Sequence, residues 1–175
     1  MKAIRIIGGV FIILIAIFFI GGMLLPKTYS IHRATVIKAS DSVVYMNVAN
    51  FNNFLKWNPW TKMEPSAKVS ISGDVAQPGH LWQWEGEETG TGEMELKNAH
   101  PYSLLDFELR FTAPFESTAQ TNFKFDQTTD GINVTWTMSG ESNTNMERWM
   151  GLFMDKMMDK DFTEGLQSLK ELSEK

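Results

Sequence analysis

Residues 104–111 read LLDFELRF, a stretch in which apolar and polar side chains alternate from Leu105 onward. Successive side chains of a strand point to opposite faces, so Leu105, Phe107, Leu109 and Phe111 share one face and the charged residues share the other. Alternation of this kind is typical of an antiparallel sheet with one face in water and the other covered by a second layer. The stretch therefore predicts a half-buried strand.

The same period of two extends over residues 80–140, on both sides of this strand. The other residues expected on the covered face are His80, Trp82, Trp84, Gly92, Met94, Leu96, Phe115, Ser117, Ala119, Thr121, Phe123, Phe125, Ile132, Val134, Trp136 and Met138. Turn residues such as Ala113-Pro114 and Asp130-Gly131 separate the runs, which predicts an antiparallel meander. Two earlier strands, over residues 28–39 and 68–73, complete a predicted sheet of seven strands.

A helical period replaces the strand period from residue 143 onward. Apolar side chains then recur at intervals of three and four: Met146, Trp149, Met150, Phe153, Met157, Phe162, Leu166, Leu169 and Leu172. A helix of about 28 residues would be ~42 Å long, enough to cross a whole curved sheet. Two short helices are expected earlier, one after the cap residues Ser40-Asp41 and one over residues 51–57. This order predicts an α+β fold in which the carboxyl-terminal helix covers the sheet.

Residues 6–25, IIGGVFIILIAIFFIGGMLL, contain no charged or polar side chain. A helix of this length spans the ~30 Å hydrocarbon core of a bilayer. The alternative is a cleaved signal peptide, which has an apolar core of ~7–15 residues and a small-x-small cleavage site. This run is longer, and GGMLLPKTYS offers no good cleavage triplet, so we expect an uncleaved membrane anchor.

The chain then divides into a tail (1–5), a transmembrane helix (6–25), a tether (26–30) and one domain (31–173). Basic residues lie on both sides of the span, so the positive-inside rule barely discriminates between orientations. A short tail with little to translocate favours an internal amino terminus. We therefore expect a single-pass protein of the cell membrane with an exported domain, periplasmic or extracellular.

The charge of the domain excludes one class of partner. Lys2 and Arg5 account for two of the 16 basic residues, and all 21 acidic residues follow the span, so the rest of the chain carries a formal charge of −7. Phosphates of nucleic acid repel such a domain, and we expect no nucleic-acid partner. The chain has no cysteine, which excludes disulfides, thiol catalysis and cysteine-ligated zinc.

The titratable side chains do not suggest catalysis. His32, His80 and His100 lack metal-site spacing, and His80, although on the face of Trp82 and Trp84, is interpreted as a strand-end histidine. Carboxylates of the meander fall on its wet face, where they are not positioned as general acids or bases. We therefore expect no metal, no cofactor and no catalytic residue.

Several short motifs occur in a set order along the domain. They are Ala39-Ser40, Val44-Tyr45, Val48, Asn50-Phe51, Trp57-Asn58-Pro59-Trp60, Gly73, Gly79, Trp82-x-Trp84, Gly90-x-Gly92 and Asp161-Phe162-x-x-Gly165-Leu166-x-x-Leu169-Lys170. As an ordered set they resemble the polyketide cyclase/dehydrase-like domains of the START/Bet v 1-like (SRPBCC) superfamily, in particular bacterial members that carry an amino-terminal membrane span. The resemblance covers residues 30–172.

This resemblance implies a helix-grip fold, in which a seven-stranded antiparallel sheet curls around the long carboxyl-terminal helix and encloses an apolar cavity. Family members bind lipids, sterols, polyketides or other hydrophobic molecules, and a minority catalyse cyclisation or dehydration. The family has no shared catalytic motif, so the resemblance assigns no catalytic residue. A fold alone does not settle function.

The aromatic and methionine side chains admit two interpretations, a filled core or a pliable cavity wall. Small residues on the inner faces, namely Gly151, Ser117, Ala119 and Thr121, favour a cavity. The expected ligand-binding residues are Trp82, Trp84, Phe107, Leu109, Trp136, Met138, Met146, Trp149, Met150 and Phe153. Trp57 and Trp60 either form a rim or end the short helices.

Three functions remain open from the sequence. A membrane-anchored binding domain or carrier for a hydrophobic small molecule or lipid requires an apolar cavity with an opening. A ligand-free interaction domain of the envelope predicts a packed interior and an exposed apolar patch. A cyclase, dehydrase or hydrolase requires a polar dyad inside the cavity, which the sequence does not indicate.

Overall fold

The computed structural model describes residues 2–175, with side chains described from Ile6 onward. Its elements follow in the order α1 (Lys2–Leu24), β1 (Thr28–Ile37), α2 (Asp41–Ala49), α3 (Phe51–Trp57), α4 (Pro59–Met63), β2 (Lys68–Ser72), β3 (Leu81–Glu85), β4 (Thr91–His100), β5 (Leu104–Ala113), β6 (Ser117–Thr128), β7 (Gly131–Glu141) and α5 (Asn145–Ser173).

The strands form one antiparallel sheet in the order β1-β7-β6-β5-β4-β3-β2. Strands β2 to β7 follow one another as a meander, and β1 pairs with β7, so that Ile31 lies opposite Met138. The α+β helix-grip architecture predicted from the sequence is confirmed: the sheet has seven strands, and the long helix α5 follows the last of them.

The inward faces of the strands are those that the alternation predicts, except at two residues. Residues Leu105, Phe107 and Leu109 of β5 are buried, as are the alternating residues of β4 and β7. Phe115, which was expected on the covered face, is 81% exposed. It lies in the turn between β5 and β6, and Ser117, the first residue of β6, is exposed as well.

A second difference concerns the tryptophans near Pro59. The sequence ends the second short helix at Asn58-Pro59, but a further helix, α4, begins there. The Asn58 side chain accepts a hydrogen bond from the Trp60 backbone N–H at 3.1 Å, and proline is well tolerated in a first helical turn because its missing N–H has no intrahelical partner there. Trp57 is fully buried, so it belongs to the core and not to a rim.

An aromatic stack fills one end of the space between the sheet and the helices. Trp136 of β7 stacks on Phe162 of α5 with ring centroids 4.1 Å apart, and on Phe123 of β6 at 5.0 Å. Trp57 of α3 meets the same indole edge-on at 5.7 Å. Gly165 lets the helix come this close, since a Cβ there would lie 2.9 Å from the Trp136 ring.

Helix α5 has two unlike halves. It begins with a capping box, in which Thr144 and Glu147 satisfy each other's backbone N–H groups. Its buried residues are Phe162, Gly165, Leu166, Leu169 and Ser173. Throughout α5, which the structure describes completely, no residue before Phe162 is buried. We call residues 145–161 the first half and residues 162–173 the second half.

Trp136→Ala should destabilise the domain by about 3–5 kcal/mol, because it leaves a cavity between Phe123 and Phe162. Thr137→Ala, one residue along on the outer face, should change the free energy of unfolding by no more than about 0.5 kcal/mol. Chemical denaturation of the full chain in detergent micelles measures both values. Similar losses for the two variants would contradict the register described for β7.

Candidate functional site

The inner face of the sheet is lined by buried apolar side chains. Phe107 and Trp136, which pack against α3 and the second half of α5, are 0% and 2% exposed. Among the predicted strand residues Trp84, Leu109 and Met138 are the most exposed, at 8% each. Since no residue of the first half of α5 is buried, we place the candidate site between the inner face and this half of the helix.

A pocket of about 170 Å³ lies between β1 and the first half of α5. Tyr29 and Ile31 line it from the sheet side, and Gly151 and Met154 line it from the helix. Outside its own helix, a Cβ on Gly151 would meet one described atom within 4 Å, the hydroxyl of Ser142 at 3.5 Å. The helix therefore has room for a side chain at Gly151 and carries none.

Polar contacts at the protein surface hold the first half of α5. Arg33 of β1 forms ion pairs with Asp155 at 3.0 Å and with Asp159 at 2.7 Å, and the guanidinium lowers the pKa of Asp155. Arg148 donates to the Ser142 carbonyl at 3.2 Å. Ion pairs with exposed carboxylates contribute little because water screens them. The first half is thus held less firmly than the second, which rests on the aromatic stack.

One polar group on the inner face lacks a partner. The indole N–H groups of Trp57, Trp84 and Trp136 donate to nearby oxygens. The indole nitrogen of Trp82 is buried, and no described group accepts its hydrogen. A buried donor left unpaired costs about 1–3 kcal/mol. Trp82 packs against Phe51 and Phe54 of α3 and does not line the pocket beside Gly151, so only a molecule that reaches past the pocket would gain this hydrogen bond. Two further unpartnered atoms, on Asn58 and Thr61, belong to the region of α4.

Glu64 fixes the loop beside Trp84. Its carboxylate accepts hydrogen bonds from the backbone N–H groups of Glu87 (2.7 Å), Glu88 (3.1 Å) and Thr89 (2.8 Å), and from the Thr89 hydroxyl (2.7 Å). These bonds, those from Thr89 first, lower the pKa of Glu64. The Thr89 carbonyl in turn accepts from the Trp84 indole at 3.3 Å. Sequence reasoning missed this residue, because no local pattern links Glu64 to a loop more than twenty residues later.

His80 is a structural residue. It is 1% exposed and stacks on Phe51 with centroids 4.7 Å apart. Its Nε2 accepts the Phe51 backbone N–H at 3.2 Å, and its Nδ1 lies 3.1 Å from the Ser72 carbonyl, so Nδ1 carries the proton. Both ring nitrogens are therefore committed to the backbone. Among the described side chains, no group of three histidine, aspartate or glutamate residues is placed to hold a metal ion.

The predicted ligand-binding residues separate into two sets. The six on strands, which are Trp82, Trp84, Phe107, Leu109, Trp136 and Met138, are all buried on the inner face. The four on α5 are not: Met146 and Phe153 are 59% exposed, Met150 is 46% exposed, and Trp149 is half-buried against α1. The expectation that these helix residues face the sheet is wrong.

The cause is the rotation of α5 at 3.6 residues per turn. The apolar spacing from Met146 to Met157 continues into that from Phe162 to Leu169, but the two sets lie on different sides of the helix. On the side that carries Phe162, the first half presents Gly151, Met154 and Met158. Met154 and Met158 pack against the core as partly buried residues.

Glu64→Gln should lower the melting temperature at neutral pH, because the loop N–H groups lose a charged acceptor. The lowered pKa means that the ionised carboxylate stabilises the fold above its unfolded-state pKa of about 4.3, and that this contribution is lost as the pH falls through the lower folded value. The difference from wild type should therefore shrink in acid. Thermal melts across this range check it, with the exposed Glu88→Gln as control. A difference that does not change with pH would contradict the assignment.

Solved structures share this fold at low sequence identity. The protein MLL2253 from Mesorhizobium loti is 12% identical with a TM-score of 0.61, and the match covers 82% of this chain and 95% of that chain. CV1439 from Chromobacterium violaceum is 16% identical with a TM-score of 0.61, over 86% and 99%. The di-domain ARO/CYC protein StfQ of the steffimycin biosynthetic pathway is 9% identical with a TM-score of 0.61. The match with StfQ covers 85% of this chain but 51% of StfQ.

These identities show the fold alone. Comparison with curated proteins gives no significant match. The family described as polyketide cyclase/dehydrase and lipid transport matches residues 28–174, nearly everything that follows α1. Since this match spans most of the chain and agrees with the observed helix-grip fold, the chain belongs to the polyketide cyclase/dehydrase and lipid transport family.

Proposed function

We propose that this protein is a membrane-anchored domain that binds a hydrophobic small molecule or lipid between the sheet and the first half of α5. The observation that carries the proposal is the asymmetry of α5. Its second half buries five residues, whereas its first half buries none of its own, although apolar strand residues line the sheet on this side. An apolar molecule placed there would remove both surfaces from water.

The pocket indicates how such a molecule enters. At about 170 Å³ it is smaller than typical ligand pockets, which start near 300 Å³. Binding therefore requires the first half of α5 to move outward, away from β1. This motion would break the surface ion pairs of Arg33 and the packing of Met154 and Met158 against the core, and it would leave the aromatic stack beneath the second half intact.

The chemistry of the inner face defines the class of ligand. The strand residues that line it are aromatic, aliphatic or methionine, and the unpaired indole N–H of Trp82 is a hydrogen-bond donor. A molecule with an apolar body and an oxygen atom, such as a fatty acid, an isoprenoid alcohol or a polyketide, matches this pattern. The family description, which names lipid transport beside cyclase and dehydrase activity, supports the same class.

The contacts of the buried titratable groups fit a binding domain better than a catalytic one. His80 and Glu64 are buried titratable side chains beside the inner face, and backbone groups occupy both of them. Neither is free to take a proton from a substrate. We therefore place the protein among binding or carrier domains and not among the cyclases or dehydrases.

The membrane anchor in this proposal is α1. Residues Ile6–Leu24 form a helix long and apolar enough to cross a membrane, a property that signal sequences share. Helix α5 contacts it directly: the Trp149 indole donates to the Phe18 carbonyl at 3.0 Å, and Arg148 donates to the Gly22 carbonyl at 3.1 Å. Cleavage of α1 would remove both partners, which supports an uncleaved anchor.

An interaction domain of the envelope remains the second candidate. It is favoured by the exposed apolar residues of α5, among them Met146 and Phe153, and by the packed aromatic interior beneath the second half. In that case the pocket would be a packing defect, and filling it would leave every binding property unchanged.

Gly151→Leu separates the two candidates. Leucine has a higher helix propensity than glycine by up to about 1 kcal/mol, so the variant should fold, and its side chain should fill the pocket. The full chain, placed in lipid nanodiscs with a diazirine derivative of palmitate, is irradiated and its labelled peptides are mapped by mass spectrometry. Wild type should label within residues 29–31 and 81–85, and Gly151→Leu should lose that labelling at least several-fold.

Gly151→Ala is the matched control, because it gives the helix propensity without filling the pocket. Labelling of α1 by probe dissolved in the bilayer serves as the internal standard and should be equal in all three proteins. The binding site would be contradicted if the wild-type domain is not labelled, or if Gly151→Leu is labelled as strongly as wild type.

A further inference from the structure

The first half of α5 carries a row of exposed apolar side chains. Met146, Met150, Phe153 and Met157 follow one another at spacings of four, three and four, so they share one side of the helix. Each is between 46% and 59% exposed. We call these four residues the α5 stripe. A contiguous exposed apolar surface of this kind marks a place where the protein meets an apolar partner.

The contacts between α5 and α1 fix the depth of this stripe. The Trp149 indole reaches the carbonyl of Phe18, which lies well inside α1. Phe18 is about 9 Å along the helix axis from Leu24, where α1 ends, at about 1.5 Å per residue. With α1 across a bilayer, the first turns of α5 lie at the boundary between headgroups and acyl chains, the level at which tryptophan is enriched.

Two glycines allow α1 to pack closely against α5 at this point. A Cβ on Gly21 would lie 2.7 Å from the Trp149 ring, and a Cβ on Gly22 would lie 2.7 Å from the Asn145 side-chain oxygen. Small residues allow helices to approach in this way within membranes. The domain is therefore held to the span in one orientation, through backbone hydrogen bonds and close packing, and does not hang from a loose tether.

We propose that the α5 stripe lies in the leaflet next to the domain, with its side chains among the lipid acyl chains. This proposal rests on the membrane anchoring proposed for α1. Cations adjoin the stripe: Arg148 contacts the end of the span, and the exposed Lys156 and Lys160 flank Met157, while the neighbouring carboxylates of Asp155 and Asp159 are paired with Arg33. Basic side chains at this position are attracted to lipid phosphates. The net negative charge of the domain confines the contact to this face.

The proposed contact defines the route of the ligand. Gly151 and Met154, which line the pocket, lie on the same helical turns as Met150 and Phe153 of the stripe. An outward movement of the first half of α5 would open the pocket toward the leaflet. A hydrophobic molecule would then pass from the bilayer to the domain without crossing water.

The absence of cysteine from the chain makes this inference directly testable. Single cysteines are introduced in the full chain as Met150→Cys and Phe153→Cys, with Ile13→Cys within α1 and Thr163→Cys on the exposed side of the second half as controls. Each carries a nitroxide label, and the proteins are reconstituted in phosphatidylcholine vesicles. Electron paramagnetic resonance then compares collisions with oxygen, which concentrates in the acyl region, and with a water-soluble nickel chelate.

Labels at Ile13, Met150 and Phe153 should favour oxygen, and the label at Thr163 should favour nickel. Oxygen preference at Ile13 combined with nickel preference at Met150 and Phe153 would overturn the leaflet contact while leaving the anchor intact. Protection of Met150 and Phe153 from both reagents would overturn it in favour of a second copy of the chain. Nickel preference at Ile13 would instead overturn the anchoring on which the inference rests.

Discussion

The stack of Phe162 on Trp136 determines how the rest of the molecule is arranged. It joins the long helix to the sheet at 4.1 Å between ring centroids, and Gly165 permits the approach. Because Phe123 and Trp57 complete the same aromatic cluster, the second half of α5 and the short helices are fixed together on one end of the sheet. The first half of α5 extends beyond this cluster and is held by the surface ion pairs of Arg33 and by the partly buried Met154 and Met158.

This asymmetry connects the proposed pocket with α1. A helix fixed along its whole length would have no means of admitting a ligand, and a helix fixed nowhere would not define a site. In this protein the half of α5 that buries none of its residues also contacts α1, through Trp149 and Arg148. The proposed binding site and the proposed membrane anchor therefore meet at the same part of the helix.

Much of the fold follows from sequence periodicity, and the misplaced residues have physical causes. The alternation over residues 104–111, and the similar runs before and after it, predict the strands and their inner faces. A shift of one residue would turn every inner side chain outward, so the pattern also fixes which face is covered. Phe115 breaks the rule since a turn interrupts the alternation just before it. The apolar spacing correctly predicts helix α5 but not which of its sides faces the sheet. The helix carries two apolar rows, and the sequence alone does not say which of them is buried.

The candidate site was predictable only from its strands. The six strand residues are buried on the inner face as expected, whereas the helix residues expected opposite them are exposed. Gly151 is a small residue among large ones in the sequence, and the structure places it at the pocket. Glu64 was not predictable, because its partners belong to a loop that only the folded sheet brings near.

If the space beneath the first half of α5 holds an apolar molecule, that molecule should remain with the purified chain. The decisive measurement is native mass spectrometry of the full chain, released from detergent micelles and followed by lipid extraction and identification. We expect one hydrophobic molecule of defined mass per chain, retained after the detergent has been removed. A chain that carries nothing beyond its own mass, together with an experimental structure in which Gly151 packs directly against β1, would contradict it.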